Sequence, residues 1–183
     1  SDLTYIAKLS VAGHCIAVRD ESPFKTLDEV VAFARANPRK LKSAVMGVSG
    51  TPRVILEVLK RNAKIDIVPV PFESGGEIVT NLLGGHVDLA IVGLTPIQGQ
   101  VDSGKARLLA VSAPKRFPTM PQVPTIVEKG YMKSALATAL GLAGPKGLSP
   151  TIVSQWDAAI QKTLKDPKVV TAVEKLAGIV IDY

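Results

Sequence analysis

Three short stretches combine small residues with a hydroxyl where an apolar run gives way to a helix signal: Gly47-Val48-Ser49-Gly50-Thr51, Ser74-Gly75-Gly76 and Leu94-Thr95-Pro96. Such residues can hold an anion without a charged side chain. Glycine lets the backbone turn sharply, hydroxyls add short donors, and the first N–H groups of a helix have no partner inside it. The helix dipole places the equivalent of about half a positive charge at the same end. In the first stretch Thr51 is suited to be the N-cap and Pro52 the first helical residue. The candidate ligand-binding residues are therefore Gly47, Val48, Ser49, Gly50, Thr51, Ser74, Gly75, Gly76 and Thr95. Any one stretch is explained by an ordinary strand-to-helix turn. Three of them at successive strand ends point to a shared site.

Other chemistries fit these residues less well. Gly47-Val48-Ser49-Gly50-Thr51 falls short of a nucleophile elbow because Thr51 stands where crowding demands glycine. No Gly-Lys-Ser/Thr follows the glycines, so nothing would neutralise a triphosphate. His14 and His86 have no carboxylate or cysteine at metal-ligand spacing, and no triad or paired-carboxylate signature occurs. The single Cys15 lies in the strand-like Gly13–Val18 and reads as a buried structural thiol. The expectation is a binder and not an enzyme, with no catalytic residues, no metal and no cofactor.

The elements that must position these turns follow from periodicity and caps. Tyr5–Ala7 and His14–Arg19 read as strands. Thr26-Leu27-Asp28-Glu29 is a capping box, and Leu27, Val30, Val31 and Ala34 form a helical stripe that stops at Asn37-Pro38. Lys42–Met46 is a strand before the first glycine turn, and Pro52–Lys60 is the helix after it. Ile65–Val70 is a β-branched strand closed by prolines. Ser74–Glu77 is a second capping box, opening a helix that ends at Gly84-Gly85. Val87–Val92 and Ala106–Ala113 are strands around a short helix in which Thr95 is the hydroxyl cap and Pro96 the first residue.

The strand–helix alternation predicts a parallel, helix-covered sheet, whose carboxyl ends are where such sheets bind ligands. Beyond it, Pro114–Pro124 is a proline-rich loop, Thr125–Lys129 a short helix and Ala135–Ala143 a strand. Helices run from Thr151 to Leu164 and from Pro167 to Leu176, and Ile179–Ile181 closes the chain as a strand.

At 183 residues, with 46% apolar and 21% charged residues, the chain is long enough for one large domain or two small ones. No apolar run approaches a membrane span. The net charge of +6 is scattered over element ends, and aromatics are only 4%, so nucleic acid is not expected as a partner.

Several motifs, in order, resemble the periplasmic receptors of tripartite tricarboxylate transporters, also called Bug proteins. They are Ser22-Pro23-Phe24-Lys25-Thr26-Leu27, Ala36–Leu41, Val70-Pro71-Phe72-Glu73-Ser74-Gly75-Gly76-Glu77, Leu82–Asp88, Ser103-Gly104-Lys105, Leu108–Val111 and Pro121–Thr125. The resemblance implies a type II periplasmic-binding-protein-like α/β fold with two lobes, here a complete second lobe plus part of the first. Residues 1–19 would be partial first lobe and crossing strand, 20–134 the second lobe and 135–183 the return to the first. It further implies an extracytoplasmic receptor for a tri- or dicarboxylate such as citrate, working with the membrane components of a tripartite transporter in the periplasm. In the family, the loop matching Gly47–Thr51 and the helix start matching Ser74–Gly76 supply second-lobe contacts.

The chain departs from the family pattern at some points. Ala139-Leu140 stands where the tricarboxylate branch has a Trp-Arg pair, and Pro52-Arg53 where relatives carry other polar residues. The family's N-terminal segment, with the first-lobe loop, and its C-terminal helix have no counterpart in this sequence. Weak binding by this chain alone is expected from that, as is self-association through apolar surface around Ile152, Val153, Trp156 and Ile160. The competing reading is the effector domain of a LysR-type regulator, and a third is an enzyme holding a phosphorylated cofactor on the glycine loop.

Overall fold

Strand β1 (Leu3–Ala12) and strand β2 (His14–Arg19) are separated by one residue, yet they enter different sheets. A side chain on Gly13 would stand 2.7 Å from Phe117 and 2.9 Å from Ala113, so the passage between the sheets is shaped for glycine. The computed structural model describes residues 2–174, 178–181 and 183. After β2 come α1 (Leu27–Ala36), β3 (Lys42–Met46), α2 (Thr51–Ala63), β4 (Val68–Phe72), α3 (Gly75–Leu83), β5 (Leu89–Gly93), α4 (Leu94–Asp102) and β6 (Ala106–Ser112). The chain ends with β7 (Thr138–Pro145), α5 (Pro150–Leu164), α6 (Pro167–Glu174) and β8 (Ile179–Ile181).

The larger sheet has five strands in the order β4-β3-β5-β2-β6. Strand β3 runs parallel to both β4 and β5, whereas β2 is antiparallel to β5 and to β6. The sheet is therefore mixed. Alternation sees each strand but not its direction, and β2 comes to this sheet from β1, not over a helical crossover.

Period-2 alternation divides the strand residues between two cores. On one face Ile16, Val18, Val45 and Ile91 meet Leu27, Val30 and Val31 of α1 and Ile55, Leu56 and Leu59 of α2. On the other Cys15, Ala17, Ala44 and Val92 meet Ile78 and Leu82 of α3, Leu94 and Ile97 of α4, and Phe117. Burying side chains of this size is worth roughly 1.5–3 kcal/mol each.

Several expected boundaries shift for physical reasons. Strand β4 starts at Val68 and runs through Pro69 and Pro71. It is an edge strand, and prolines two apart direct their missing donors to the open side while Val68 N donates to Leu41 O at 2.9 Å. Thr125–Lys129 is a turn, although Thr125 and Glu128 exchange the two capping hydrogen bonds at 3.0 and 2.6 Å. The strand expected at Ala135–Ala143 is β7, Thr138–Pro145, because Leu136 is held by Ser112 Oγ through both its N–H and its carbonyl. The expected end of α6 at Leu176 lies outside the described residues.

The smaller sheet has the order β7-β1-β8, all antiparallel, with irregular register along β1–β7. Helix α5 lies against β1. No residue of α5 is fully buried, and Ile152 and Trp156 are exposed.

The capping box of α1 forms as expected: Glu29 N donates to Thr26 Oγ1 at 3.2 Å, and Thr26 N donates to Glu29 Oε2 at 3.4 Å. Thr26→Ala should lower stability by about 1 kcal/mol in urea denaturation. In the same turn Asp28 pairs with Lys129 and accepts from Tyr131 Oη at 2.6 Å. These contacts, Lys129 first, hold its carboxyl below the usual carboxylate range. A depressed carboxyl contributes stability above its unfolded pKa, and that stability is lost as pH falls through the folded one. Between about pH 6 and about pH 2 the denaturation midpoint should therefore fall less for Asp28→Asn than for the unaltered protein.

Candidate functional site

The three glycine-hydroxyl turns follow β3, β4 and β5, neighbouring strands that point the same way, so all three lie on one rim of the larger sheet. In the first, Gly47 turns the chain with φ +63° and donates its N–H to Phe72 O at 2.9 Å, which ties this turn to the second. Gly50 is the N-cap of α2, and its carbonyl accepts from Arg53 N at 2.9 Å and Val54 N at 3.2 Å. A Cβ there would sit 2.9 Å from Met46 O. Thr51 is therefore the first residue of α2 and not its cap, with Pro52 second. Its hydroxyl lies 3.5 Å from the hydroxyl of Thr138, the first residue of β7.

Val48 and Ser49 are exposed, and among the described residues the N–H groups of Val48, Ser49 and Gly50 have no backbone acceptor. A run of open donors beside a helix start has the geometry of an anion seat.

In the second turn Ser74 caps α3, its Oγ accepting from Glu77 N at 3.2 Å. The reciprocal bond goes one residue earlier than the sequence suggests, from Glu73 N to Glu77 Oε2 at 3.0 Å. Gly75 and Gly76 open α3 with the unpartnered N–H groups of a first turn. A Cβ on Gly75 would stand 2.8 Å from Pro96 Cγ, so this helix start is pressed against that of α4. There Gly93 is the cap, with no side-chain hydrogen bond, and Thr95 and Pro96 already lie inside the helix. Thr95 is exposed and is not the hydroxyl cap expected of it.

Positive side chains near the rim are engaged elsewhere. Arg53 Nε is 3.0 Å from Glu57 Oε1, and Glu57 and Asp66 share Lys60 at 3.5 and 3.3 Å. What the rim offers an anion is neutral donors and helix dipoles.

Two residues that the motifs did not single out also reach this region. Thr138 comes in at the start of β7. His14 is paired across the sheet with Gly93 on one side and Ser112 on the other. Its Nδ1 is buried without a hydrogen-bond partner among the described residues, and burial lowers its pKa. Histidine type was legible at position 14, but its placement beside Gly93 depends on the reversal of β2. Cys15, next to it, is fully buried and donates to Val92 O at 3.1 Å, with its pKa pushed up to about 12 by burial. That thiol is structural, as the sequence suggests.

A mixed α/β sheet joined to a second small sheet, with helix starts gathered on one rim, is the architecture of periplasmic binding proteins. A TctC solute-binding protein from Polaromonas superposes with a TM-score of 0.85 at 25% identity over 99% of this chain and 62% of its own. MatC from Rhodopseudomonas palustris, solved with bound malate, gives 0.75 at 27% identity, over 99% of this chain and 61% of its own. R. palustris Rpa4515, solved with adipate, shares the fold with a TM-score of 0.84 at 23% identity, over 99% and 60%.

Residues 1–179 match the tripartite tricarboxylate transporter family receptor profile, and the chain belongs to that family. Among curated relatives, a UPF0065 protein of Cupriavidus necator is 33% identical over 91% of this chain and 50% of its own length. Protein BugT of Bordetella pertussis is 27% identical over 80% of this chain and 45% of its own. The chain thus spans about half the length of these relatives.

A histidine with a lowered pKa resists protonation in the folded state, so stability should fall as pH drops below the ordinary histidine value of about 6.5. Proton NMR should place the His14 titration below the ordinary histidine value, and His14→Gln should flatten the corresponding part of the stability profile.

Proposed function

We propose that this chain forms the second lobe, with part of the first, of an extracytoplasmic receptor that binds a small di- or tricarboxylate such as citrate. The observation that carries the reading is the meeting of three helix starts on one rim, with N–H donors at Val48, Ser49 and Gly50 that have no backbone acceptor among the described residues. Carboxylate oxygens accept from such N–H groups and from the Ser49 and Thr51 hydroxyls, and the helix dipoles add to each contact. Ser74, Gly75, Gly76 and Thr95 extend the same surface toward a second carboxyl group. The malate of MatC and the adipate of Rpa4515 are dicarboxylates, which supports that ligand class.

In this reading the lobes divide as residues 1–19, 20–134 and 135–183, and the chain crosses between them at Gly13 and just before Thr138. Membership of the family supports a place in the periplasm and a partnership with the membrane components of a tripartite transporter. It likewise supports a receptor and not a catalyst.

Titration calorimetry of citrate, malate and adipate into the protein tests the site. Removing the Ser49 and Thr51 hydroxyls together should weaken the best of these ligands by about 10- to 100-fold, the effect of losing a charge-assisted hydrogen bond of roughly 1.5–3 kcal/mol. Arg53→Gln, whose partner is Glu57, should change affinity by less than about threefold. Equal affinity in Ser49→Ala/Thr51→Ala and unaltered protein would overturn the assignment.

A further inference from the structure

A cavity of about 530 Å³ lies at the far end of the larger sheet, away from the rim turns. Register fixes its separation from the rim turns. His14 stands opposite Gly93 and Ser112 at one end of β2, and Arg19 stands opposite Ala106 at the other, a strand length of roughly 17 Å away. Apolar residues line the cavity from both sides of the β6 edge: Leu27 of α1 from one face of the sheet, Leu108 of β6 and Met120 of the proline-rich loop from the other. Over it stand three cations, Lys25, Arg107 and Lys129, against one carboxylate, Asp20.

The cations differ in what already satisfies them. Lys129 is paired with Asp28. Lys25 Nζ reaches only backbone carbonyls, those of Ser22 at 3.2 Å and Asp20 at 3.5 Å, and no carboxylate pairs with it among the described residues. Arg107 donates to Asp20 through Nη2, but its Nη1 is shielded from water and has no acceptor among the described residues. A guanidinium N–H kept from both water and acceptor is costly, and a guanidinium released from Asp20 could turn to a ligand oxygen instead. The start of α1 is not the attraction. Glu29 and Thr26 already occupy its capping donors.

We propose that this cavity is a second anion site, for a small carboxylate with an apolar body. The hydrocarbon part lies along the β6 edge, and the carboxylate pairs with the Lys25 ammonium and with Arg107 as its guanidinium turns away from Asp20. The volume falls in the range of small-molecule pockets, about 300–1,000 Å³, and an apolar lining with few polar groups is their usual composition. The site uses none of the rim residues, so the two readings stand or fall separately.

Nitrogen–proton NMR of the chain titrated with benzoate, and in parallel with inorganic phosphate, tests this. Benzoate should shift the amides of Leu108, Met120 and Leu27 saturably, and phosphate should not. Arg107→Gln should weaken benzoate by about tenfold. Asp20→Asn should strengthen it, because it releases Arg107 from its present partner. Both variants break the same ion pair, so opposite changes in affinity cannot come from loss of the pair's structural role. Ser49→Ala/Thr51→Ala should leave benzoate binding as it was. Absence of saturable shifts at millimolar benzoate, phosphate acting as strongly as benzoate, or weaker binding in Asp20→Asn would each overturn the proposal. If Arg107→Gln does not fold, the Asp20→Asn and phosphate results decide.

Discussion

Strand β3 is the constraint on which the candidate site depends. It pairs in parallel with β4 on one side and β5 on the other, with Ser43, Ala44 and Val45 buried between helix layers on both faces. A strand buried on both faces cannot slip by one residue without exchanging its two cores, Val45 belonging to one and Ala44 to the other. Fixing that register fixes where β3, β4 and β5 stop. Since all three stop at the same edge, the helices that follow begin side by side, with Gly47 bonded to Phe72 and Gly75 against Pro96.

Close approach at that edge accounts for the small residues. Gly50 leaves space for the Met46 carbonyl and Gly75 for Pro96. Each glycine costs helix or strand propensity, by roughly 0.5–1 kcal/mol relative to alanine in an element interior, but all of these lie at element starts where that cost is small. The result is a rim where Val48 and Ser49 are exposed and their N–H groups have no backbone acceptor among the described residues. In the proposed site charge selectivity would come from dipoles, and dipolar donors favour any anion of suitable shape. In that reading discrimination between carboxylates would rest on which groups meet the far end of the ligand, and Thr138 and His14 lie on the side where β1 and β7 enter.

The net positive charge of the chain is not concentrated at this rim. The Arg53–Glu57–Lys60–Asp66 chain neutralises cations along and below α2, and Arg116 is held by Glu128. These are half-exposed pairs of modest individual worth. Their effect is to leave neutral donors at the rim, and in the proposed site such donors would release a carboxylate more readily than a buried arginine pair.

Most elements were legible in the sequence because their causes are local. The Thr26–Glu29 box, the stripe of α1 ending before Asn37-Pro38, the strand Lys42–Met46 and the cap Ser149 before Pro150 depend on residues within a few positions of one another. The glycine and hydroxyl content of the three turns was legible for the same reason. What a cap does was less so: Thr51 and Thr95 have the right type, but Gly50, pressed against the Met46 carbonyl, and Gly93, where β5 itself ends, take the N-cap positions. The tertiary structure alone decided that β2 runs against its neighbours, that Pro69 and Pro71 are tolerated on an edge, and that His14 stands beside Gly93. Those outcomes turn on which strands pair and in which direction. Pairing is settled by burial between residues far apart in the chain, and alternation within one strand carries no record of it.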